Sequence, residues 1–229
     1  MYRTIIVFDF ETDSPDPKNA NPVQLAALAI NGLTLKPIRN AEFVSDCKPD
    51  GVDNDDYLTE ERKKTLAWHS KVQQVDQEKV LERWKNAPNE KMVWSEFHKF
   101  VNRFNKKGTS WFAPIQAGMN IRNFDCIIAN RLNEKHKKKT CFFKRDVIDI
   151  LEMAFYWFHD LEGGPSNNTM DTLRKWLKMP DRGKSHDALV DVRDEAVVII
   201  TFIQMFRSVC NHPKFTERLR EKIQENVYN

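Results

Sequence analysis

The chain has 229 residues and a formal net charge of +3, from 36 basic and 33 acidic side chains, which is too small an excess to identify a nucleic-acid or membrane partner. Hydrophobic residues make up 41%, enough for a substantial core, and no apolar run approaches the about 18 residues of a membrane span. Four scattered cysteines without a C-x-x-C pair argue against a disulfide framework and a cysteine zinc site, and they favour a reducing compartment. With no signal peptide visible, the sequence predicts a soluble cytoplasmic protein.

Three antiparallel strands are predicted at the start of the chain. The run 3–10 is β-branched and aromatic, which is typical of a strand buried on both faces. A turn-rich stretch separates it from a second strand over 23–30, and the Asn-Gly pair 31–32 predicts a hairpin into a third strand over about 34–45.

A helical pattern follows over about 59–106. Thr59 is predicted to cap the first helix, with Glu60 and Glu61 in its first turn. The segment contains three tryptophans, which we interpret as core anchors for its helices rather than as a base-stacking platform: Trp68, Trp84 and Trp94.

Strand–helix units are predicted for the rest of the chain. Residues 111–119 are strand-like and lead into a helix that begins near Asn123, while a later short helix ends before Pro180. A long closing helix and a peripheral helix over about 213–229 complete the pattern. These elements predict one layered domain over 1–229, of α/β or α+β class, with the helices of 59–106 as an insert.

The first strand ends in Asp-Phe-Glu-Thr-Asp, an unusual end for so apolar a segment. Residues two apart in a strand share a face, so Asp9 and Glu11 point one way and Phe10 the other. Two neighbouring carboxylates beside a dry core repel each other and resist desolvation. Either solvent at the strand end compensates them, or they bind a divalent cation as oxygen ligands.

Two further acids lie in apolar surroundings. Asp125 falls in the first turn of the middle helix, where it could simply complement the helix dipole. Asp191 lies beside an apolar stripe of the closing helix, where uncompensated burial would be costly, and His186 precedes it by five residues. Asp187, which directly follows His186, is the acid most easily mistaken for the ligand in place of Asp191. Four nearby acids are not assigned as ligands: Asp13, Asp149, Asp187 and Asp194.

Together, three segments resemble a known family. D-x-E at 9–11, N-I-x-x-F-D at 120–125 and H-x-x-x-x-D at 186–191 follow the order and spacing of the three exonuclease motifs of the DEDDh superfamily. This RNase H-like group includes the DnaQ proofreading subunit, RNase T and exonuclease I. The resemblance covers most of 4–205, and the insert is similar to that of phage DexA-type exonucleases.

The resemblance implies an RNase H-like α/β fold, with helices on both faces of a mixed sheet and the insert near 59–106. It implies that two Mg²⁺ or Mn²⁺ ions are bound by four acids, Asp9, Glu11, Asp125 and Asp191. The same resemblance gives His186 as the general base, brought in by a loop containing Gly183, and Thr12 and Asn120 as substrate contacts. The implied activity is 3′–5′ exonucleolysis of single-stranded or frayed DNA, with release of nucleoside 5′-monophosphates.

Several alternatives stay open at this point. RNA 3′-end trimming uses the same catalytic residues, and a polymerase-associated proofreading module or a non-catalytic nucleic-acid binder would keep the same fold. A homodimer and a polymerase partner are both compatible with the insert. The lysine-rich segment 135–145 is either a solvated loop or a patch that faces substrate phosphates.

Overall fold

The computed structural model describes residues 3–109, 111–138, 146–180, 187–211 and 214–227. Within these ranges the strands are β1 (Thr4–Thr12), β2 (Pro22–Asn31), β3 (Pro37–Asp46), β4 (Ile115–Gly118) and β5 (Val147–Asp149). The helices are α1 (Glu60–Gln73), α2 (Gln77–Asn86), α3 (Glu90–Asn102), α4 (Asp125–Lys135), α5 (Ile150–Phe158), α6 (Met170–Trp176), α7 (Ala188–Cys210) and α8 (Phe215–Val227).

The strands form one mixed sheet in the order β3-β2-β1-β4-β5. The first three strands pair antiparallel, as predicted, and β4 and β5 add in parallel orientation on the other side of β1. This order makes β1 the central strand, which explains why its sequence is apolar on both faces.

Alternate residues of β1 feed two separate core layers. Ile6 and Phe8 pack with α3 and α4 on one face of the sheet, whereas Ile5 and Val7 pack with α5 and α7 on the other. The predicted mixed sheet with helices on both faces is therefore confirmed. None of the described helices is long and apolar enough to cross a membrane.

The predicted insert forms α1, α2 and α3, between β3 and β4. The hydroxyl of Thr59 accepts a hydrogen bond from the amide of Arg62, so the predicted cap is confirmed. Trp84 and Trp94 are 1% exposed and anchor the core as predicted. The interpretation of Trp68 as a core anchor was wrong, because its indole is 40% exposed beside a surface cavity.

Element boundaries differ from the predicted ones where the backbone turns left-handed. β3 begins at Pro37 rather than near residue 34, because Leu35 has a φ of +54° and donates back to the carbonyl of Asn31. The turn also needs Gly32, since a Cβ there would lie 2.1 Å from the carbonyl oxygen of Arg3. Similarly, α4 begins at Asp125 rather than near Asn123, after a turn over 120–123.

Candidate active site

Two of the predicted acids lie at the free end of β1. The last pairing of β1 with β4 is Val7 opposite Ala117, and β1 then continues alone on that side. Because Ile5 and Val7 face α7, strand alternation places Asp9 and Glu11 on that same face. The two carboxylates therefore share the face that α7 covers, and the sequence had predicted that they share a face.

Asp125 reaches the same place from the other layer of the protein. It is the first residue of α4, and its Oδ1 accepts a hydrogen bond of 3.0 Å from the backbone amide of Phe10. That amide is available because β1 has no partner strand on this side beyond Val7. The bond fastens the start of α4 to the end of β1, and it brings a carboxylate that is 2% exposed toward Asp9.

The start of α7 carries Asp191 into the site. Gln24, opposite Glu11 in β2, accepts a hydrogen bond of 3.0 Å from the amide of Ala188 and fixes the position of the helix start. The carboxylate of Asp187 caps the helix by accepting from the amides of 189 and 190. Asp191, one turn further on, forms a 2.7 Å ion pair with Nη2 of Arg174 in α6.

The acids act on one another electrostatically. Burial, followed by the charge of Asp191, raises the pKa of Asp9 from 3.8 to about 7. Burial also raises the pKa of Asp125, with Asp9 adding to the shift and the amide of Phe10 opposing it. The pKa of Glu11 is raised well above its ordinary value by burial, then by Asp9 and Asp191. Like charges have therefore been brought together without full compensation.

A fifth acid, Glu195, was missed by the sequence analysis. It is 4% exposed, and its pKa is raised by burial and then by Asp9, Asp125 and Asp191. The signal was present in the sequence, because Glu195 follows Asp191 by four residues and therefore lies on the same face of α7. Its chain neighbour Asp194 instead lies 2.8 Å from the guanidinium of Arg174.

These side chains line a cavity of about 310 Å³. Its walls include Asp9, Glu11, Asp191 and Glu195, and Asp125 lies behind Phe10. Clustered carboxylate oxygens are the donor set that suits Mg²⁺ or Mn²⁺. Among the described residues, no group of three or more His, Cys, Asp or Glu side chains is placed so that it could hold a metal ion as it stands.

A family model described as an exonuclease, RNase T, matches residues 6–198, which is most of the chain. The chain belongs to the RNase T exonuclease family. This places it in the DEDD superfamily and confirms the RNase H-like fold that the motifs implied. Membership of this family makes the chain a nuclease. A comparison with curated protein sequences found no match.

Solved structures of exonuclease I share the fold of this exonuclease chain. The enzyme from Methylocaldum szegediense matches with a TM-score of 0.63 at 20% identity, over 87% of this chain and 40% of its own. Exonuclease I of E. coli with a 5cy-dT13 oligonucleotide matches with a TM-score of 0.64 at 18% identity, over 93% and 44%. Its zinc-bound complex with single-stranded DNA matches with a TM-score of 0.65 at 17% identity, over 96% and 43%. This chain therefore spans less than half the length of those enzymes.

Of the remaining predicted site residues, two are described by the structure and have hydrogen-bond partners within the chain. The hydroxyl of Thr12 donates to the carbonyl of Ser14 at 2.8 Å, so its contact with substrate would not be through a free hydroxyl. Asn120 has a φ of +51°, and its side-chain oxygen accepts from Asn123 within the turn before α4. His186 and Gly183 lie outside the described residues.

Two of the acids that were not assigned as ligands have other partners. Asp13 is fully buried and accepts from the hydroxyl of Tyr57 at 2.6 Å, and Nε of Arg62 lies 3.0 Å from the same carboxylate oxygen. Asp149 accepts from the amides of Asn120 and Leu151, each at 3.0 Å, and so orders the turn before α4 and caps α5.

A second cavity of about 460 Å³ adjoins the acidic one and shares Phe10 and Glu11 with it. Its other walls include Trp68 and Lys64 of α1, and Phe124 at the start of α4. Nε2 of His69 donates to the carbonyl of Thr12 at 2.8 Å, which fastens α1 to the end of β1. A larger cavity of about 530 Å³ lies at the opposite end of β1 and includes none of these acids.

Proposed function

We propose that this chain is a 3′–5′ exonuclease that removes nucleoside 5′-monophosphates from the ends of single-stranded or frayed DNA. One observation carries this conclusion. Asp9 and Glu11 of a strand and Asp191 of a helix line one cavity, Asp125 of a second helix is bonded to the strand between them, and burial together with neighbouring carboxylates raises the pKa of Asp9, Glu11 and Asp125. A protein keeps such mutually repelling charges where a cation and a phosphate are to be bound.

These four acids would hold two Mg²⁺ or Mn²⁺ ions. Bound there, the ions would supply charge neutralisation for the phosphodiester and a water of lowered pKa. The chain itself preorganises the ligands: the amide of Phe10 orients Asp125, and the anchored start of α7 orients Asp191. Rigid placement matters because a ligand displaced in the free protein must be reordered when the cation binds.

His186 would accept the proton of the attacking water, as the family motif implies for this position. A neutral imidazole with a pKa near neutrality suits that task. We therefore expect His186→Ala to lower the rate by about 10²–10⁴-fold, the usual loss for a general base, while Mn²⁺ affinity measured by calorimetry stays unchanged. A parallel loss of Mn²⁺ affinity would instead make His186 a ligand or a structural residue.

The second cavity would hold bases of the substrate strand. The exposed indole of Trp68 and the ring of Phe124 offer stacking surfaces that accept any base, and Lys64 offers a charge for a phosphate. The exonuclease I structures with oligonucleotides support a DNA strand as the substrate. Discrimination against RNA depends on contacts near the 2′ position.

Matched DNA and RNA oligonucleotides, each labelled at the 5′ or the 3′ end, test this function. With Mg²⁺, the 5′-labelled DNA should shorten stepwise, the 3′-labelled DNA should release a labelled mononucleotide at once, and EDTA should stop both reactions. Shortening of RNA alone would indicate an exoribonuclease. Binding without cleavage by wild-type protein would indicate a nucleic-acid-binding module.

We further infer that residues 1–229 act as one catalytic domain with 59–106 as its insert. α3 of the insert shares the core cluster of β1 and α4, so the insert is not packed as a separate unit. All four proposed ligands come from the same chain. The chemistry therefore requires neither a homodimer nor a polymerase partner.

A further inference from the structure

Glu195 combines deep burial with an uncompensated oxygen. The residue is 4% exposed, and its Oε2 is shielded from solvent without a hydrogen-bond partner. The backbone amide of Met119 hydrogen-bonds the carboxylate and opposes the rise of its pKa. A carboxylate oxygen left in this state is costly unless a cation or a proton satisfies it.

Other buried acids of the same region are provided with cationic or hydrogen-bond partners. Asp13 has Tyr57 and Arg62, and Asp194 has the guanidinium of Arg174. The charges that act on Glu195 are those of Asp9, Asp125 and Asp191. Its environment therefore favours a cation shared with those acids.

The position of Glu195 fits that requirement. It lies one helical turn beyond Asp191, on the same face of α7, and both residues line the acidic cavity. Met119, the residue directly after β4, lines the same cavity, and its backbone amide hydrogen-bonds the carboxylate of Glu195.

We propose that Glu195 is a fifth carboxylate ligand of this site and binds the divalent cation directly through Oε2. This inference rests on the cation site of the proposed function. It assigns Glu195 a role that the three family motifs do not specify, since they end at Asp191. A structural acid that stays protonated would be the alternative role for the same residue.

Calorimetric titration of the metal-free protein with Mn²⁺ tests the proposal without any turnover. Glu195→Gln keeps the shape of the side chain and replaces the charged carboxylate with a neutral amide. Mn²⁺ affinity should fall by at least about 100-fold, the upper end of what losing a mere supporting partner of a ligand costs. The melting temperature in EDTA should rise, because a repelling buried charge is gone.

Two further variants separate ligation from a general field effect. Asp171→Asn removes a charge from the rim of the same cavity, where the carboxylate is 75% exposed, and should change affinity little. Glu195→Asp keeps the charge but withdraws the oxygen, so it should also bind Mn²⁺ weakly. Circular dichroism checks that each variant is folded.

The outcomes distinguish this inference from the proposed function. Wild-type protein that binds no Mn²⁺ would overturn both. Wild-type binding with an unchanged affinity and melting temperature in Glu195→Gln would overturn the ligand role alone and leave Glu195 a protonated structural acid. Equal losses in Glu195→Gln and Asp171→Asn, or full affinity in Glu195→Asp, would also overturn it.

Discussion

Asp9 shows how strongly this fold changes the chemistry of one side chain. Strand alternation places it on the α7 face, where the core removes its water and Asp191 adds a like charge. The resulting pKa of about 7 means that the carboxyl is still partly protonated near neutrality in the metal-free protein. A cation bound at the proposed site would therefore displace protons, so Mn²⁺ affinity should increase as the pH rises.

The same shift predicts how the stability of the metal-free protein depends on pH. Between the ordinary pKa of 3.8 and the folded-state pKa of about 7, the folded protein holds a proton at Asp9 that the unfolded chain does not. The free energy of unfolding in EDTA should therefore fall as the pH rises through this range. Asp9→Asn should remove this part of the slope, raise the melting temperature at pH 7 by several degrees, and lower activity by about 10³-fold or more.

Thermal melts in EDTA at several pH values, together with oligonucleotide cleavage, measure both effects. Asp160→Asn is a matched control, because that carboxylate is 89% exposed. Wild-type activity in Asp9→Asn would contradict the assignment of Asp9 as a ligand. A stability slope equal to that of the wild type would contradict the raised pKa.

How much of the site was predictable depends on how local the signal of each residue is. Asp9 and Glu11 could be paired from strand alternation alone, and the family motifs added Asp125 and Asp191. Glu195 offered only its four-residue spacing from Asp191, which also describes countless solvated helix faces. Its burial beside Asp9 and Asp125 depends on tertiary packing, which no local pattern encodes.

Among the elements, α6 and α7 are joined by a charged contact at the edge of the acidic cavity. Arg174 of α6 lies 2.7 Å from Asp191 and 2.8 Å from Asp194, with the side chains largely buried. A guanidinium in this position neutralises Asp191 when no cation is bound. It would also compete with a cation bound at the proposed site for the same carboxylate oxygen.

Arg174→Gln should therefore act in opposite directions on stability and on binding. The melting temperature in EDTA should fall, because Asp191 and Asp194 lose their counter-ion, and Mn²⁺ affinity should rise by about 10-fold because the competitor is gone. Calorimetry and melting curves with and without Mn²⁺ measure this. Lys175→Gln, at the next and exposed position of α6, is the control. Weaker Mn²⁺ binding in Arg174→Gln would show that Arg174 supports the site instead.

The type of most elements followed from the sequence, whereas their boundaries depended on single backbone conformations. The apolar patterns of 3–10 and 23–30 correspond to β1 and β2, since hydrophobic periodicity is set by the layers that the strands separate. β3 begins later than predicted because the backbone of Leu35 is in the left-handed region, which a leucine in the sequence gives no reason to expect. The prediction that Trp68 is buried was wrong because hydrophobic periodicity does not show which face of α1 borders a cavity.

In the whole molecule, the insert both contributes to the core and lines a cavity in which we propose that substrate binds. α2 and α3 bury tryptophans in the core, while α1 lines the cavity next to the acids. Removing the indole in Trp68→Ala should raise KM on oligonucleotides with little change in kcat, because stacking of one base contributes about 1–3 kcal/mol to binding.

Steady-state kinetics on a short DNA oligomer check this expectation. Trp111→Ala removes an indole that is 67% exposed and is absent from the lining of both cavities, so its KM should match that of the wild type. Melting temperatures establish that both variants remain folded. An unchanged KM in Trp68→Ala would assign the second cavity no part in substrate binding.

The basic segment 135–145 is the part of the proposed substrate path that lies farthest from the acidic cavity. Lys135 is already occupied by Glu90 and Asp50, at 2.6 and 2.9 Å, so it is not a free phosphate contact. Residues 139–145 lie outside the described part of the chain. The segment follows the end of α4 that is remote from Asp125, about 15 Å along the helix axis, so only a strand of several nucleotides could reach both.

Neutralising Lys137, Lys138 and Lys139 together should therefore affect long substrates only. If the three lysines follow the strand backbone, KM on long oligomers should rise, and its log–log salt dependence should flatten by about 0.7 for each phosphate of a single strand that no longer has a lysine beside it. Cleavage of a dinucleotide, which cannot span that distance, should be unchanged and serves as the internal control. A solvated loop would leave the salt slope and KM on long oligomers unaltered, and that result would assign the segment no part in holding substrate.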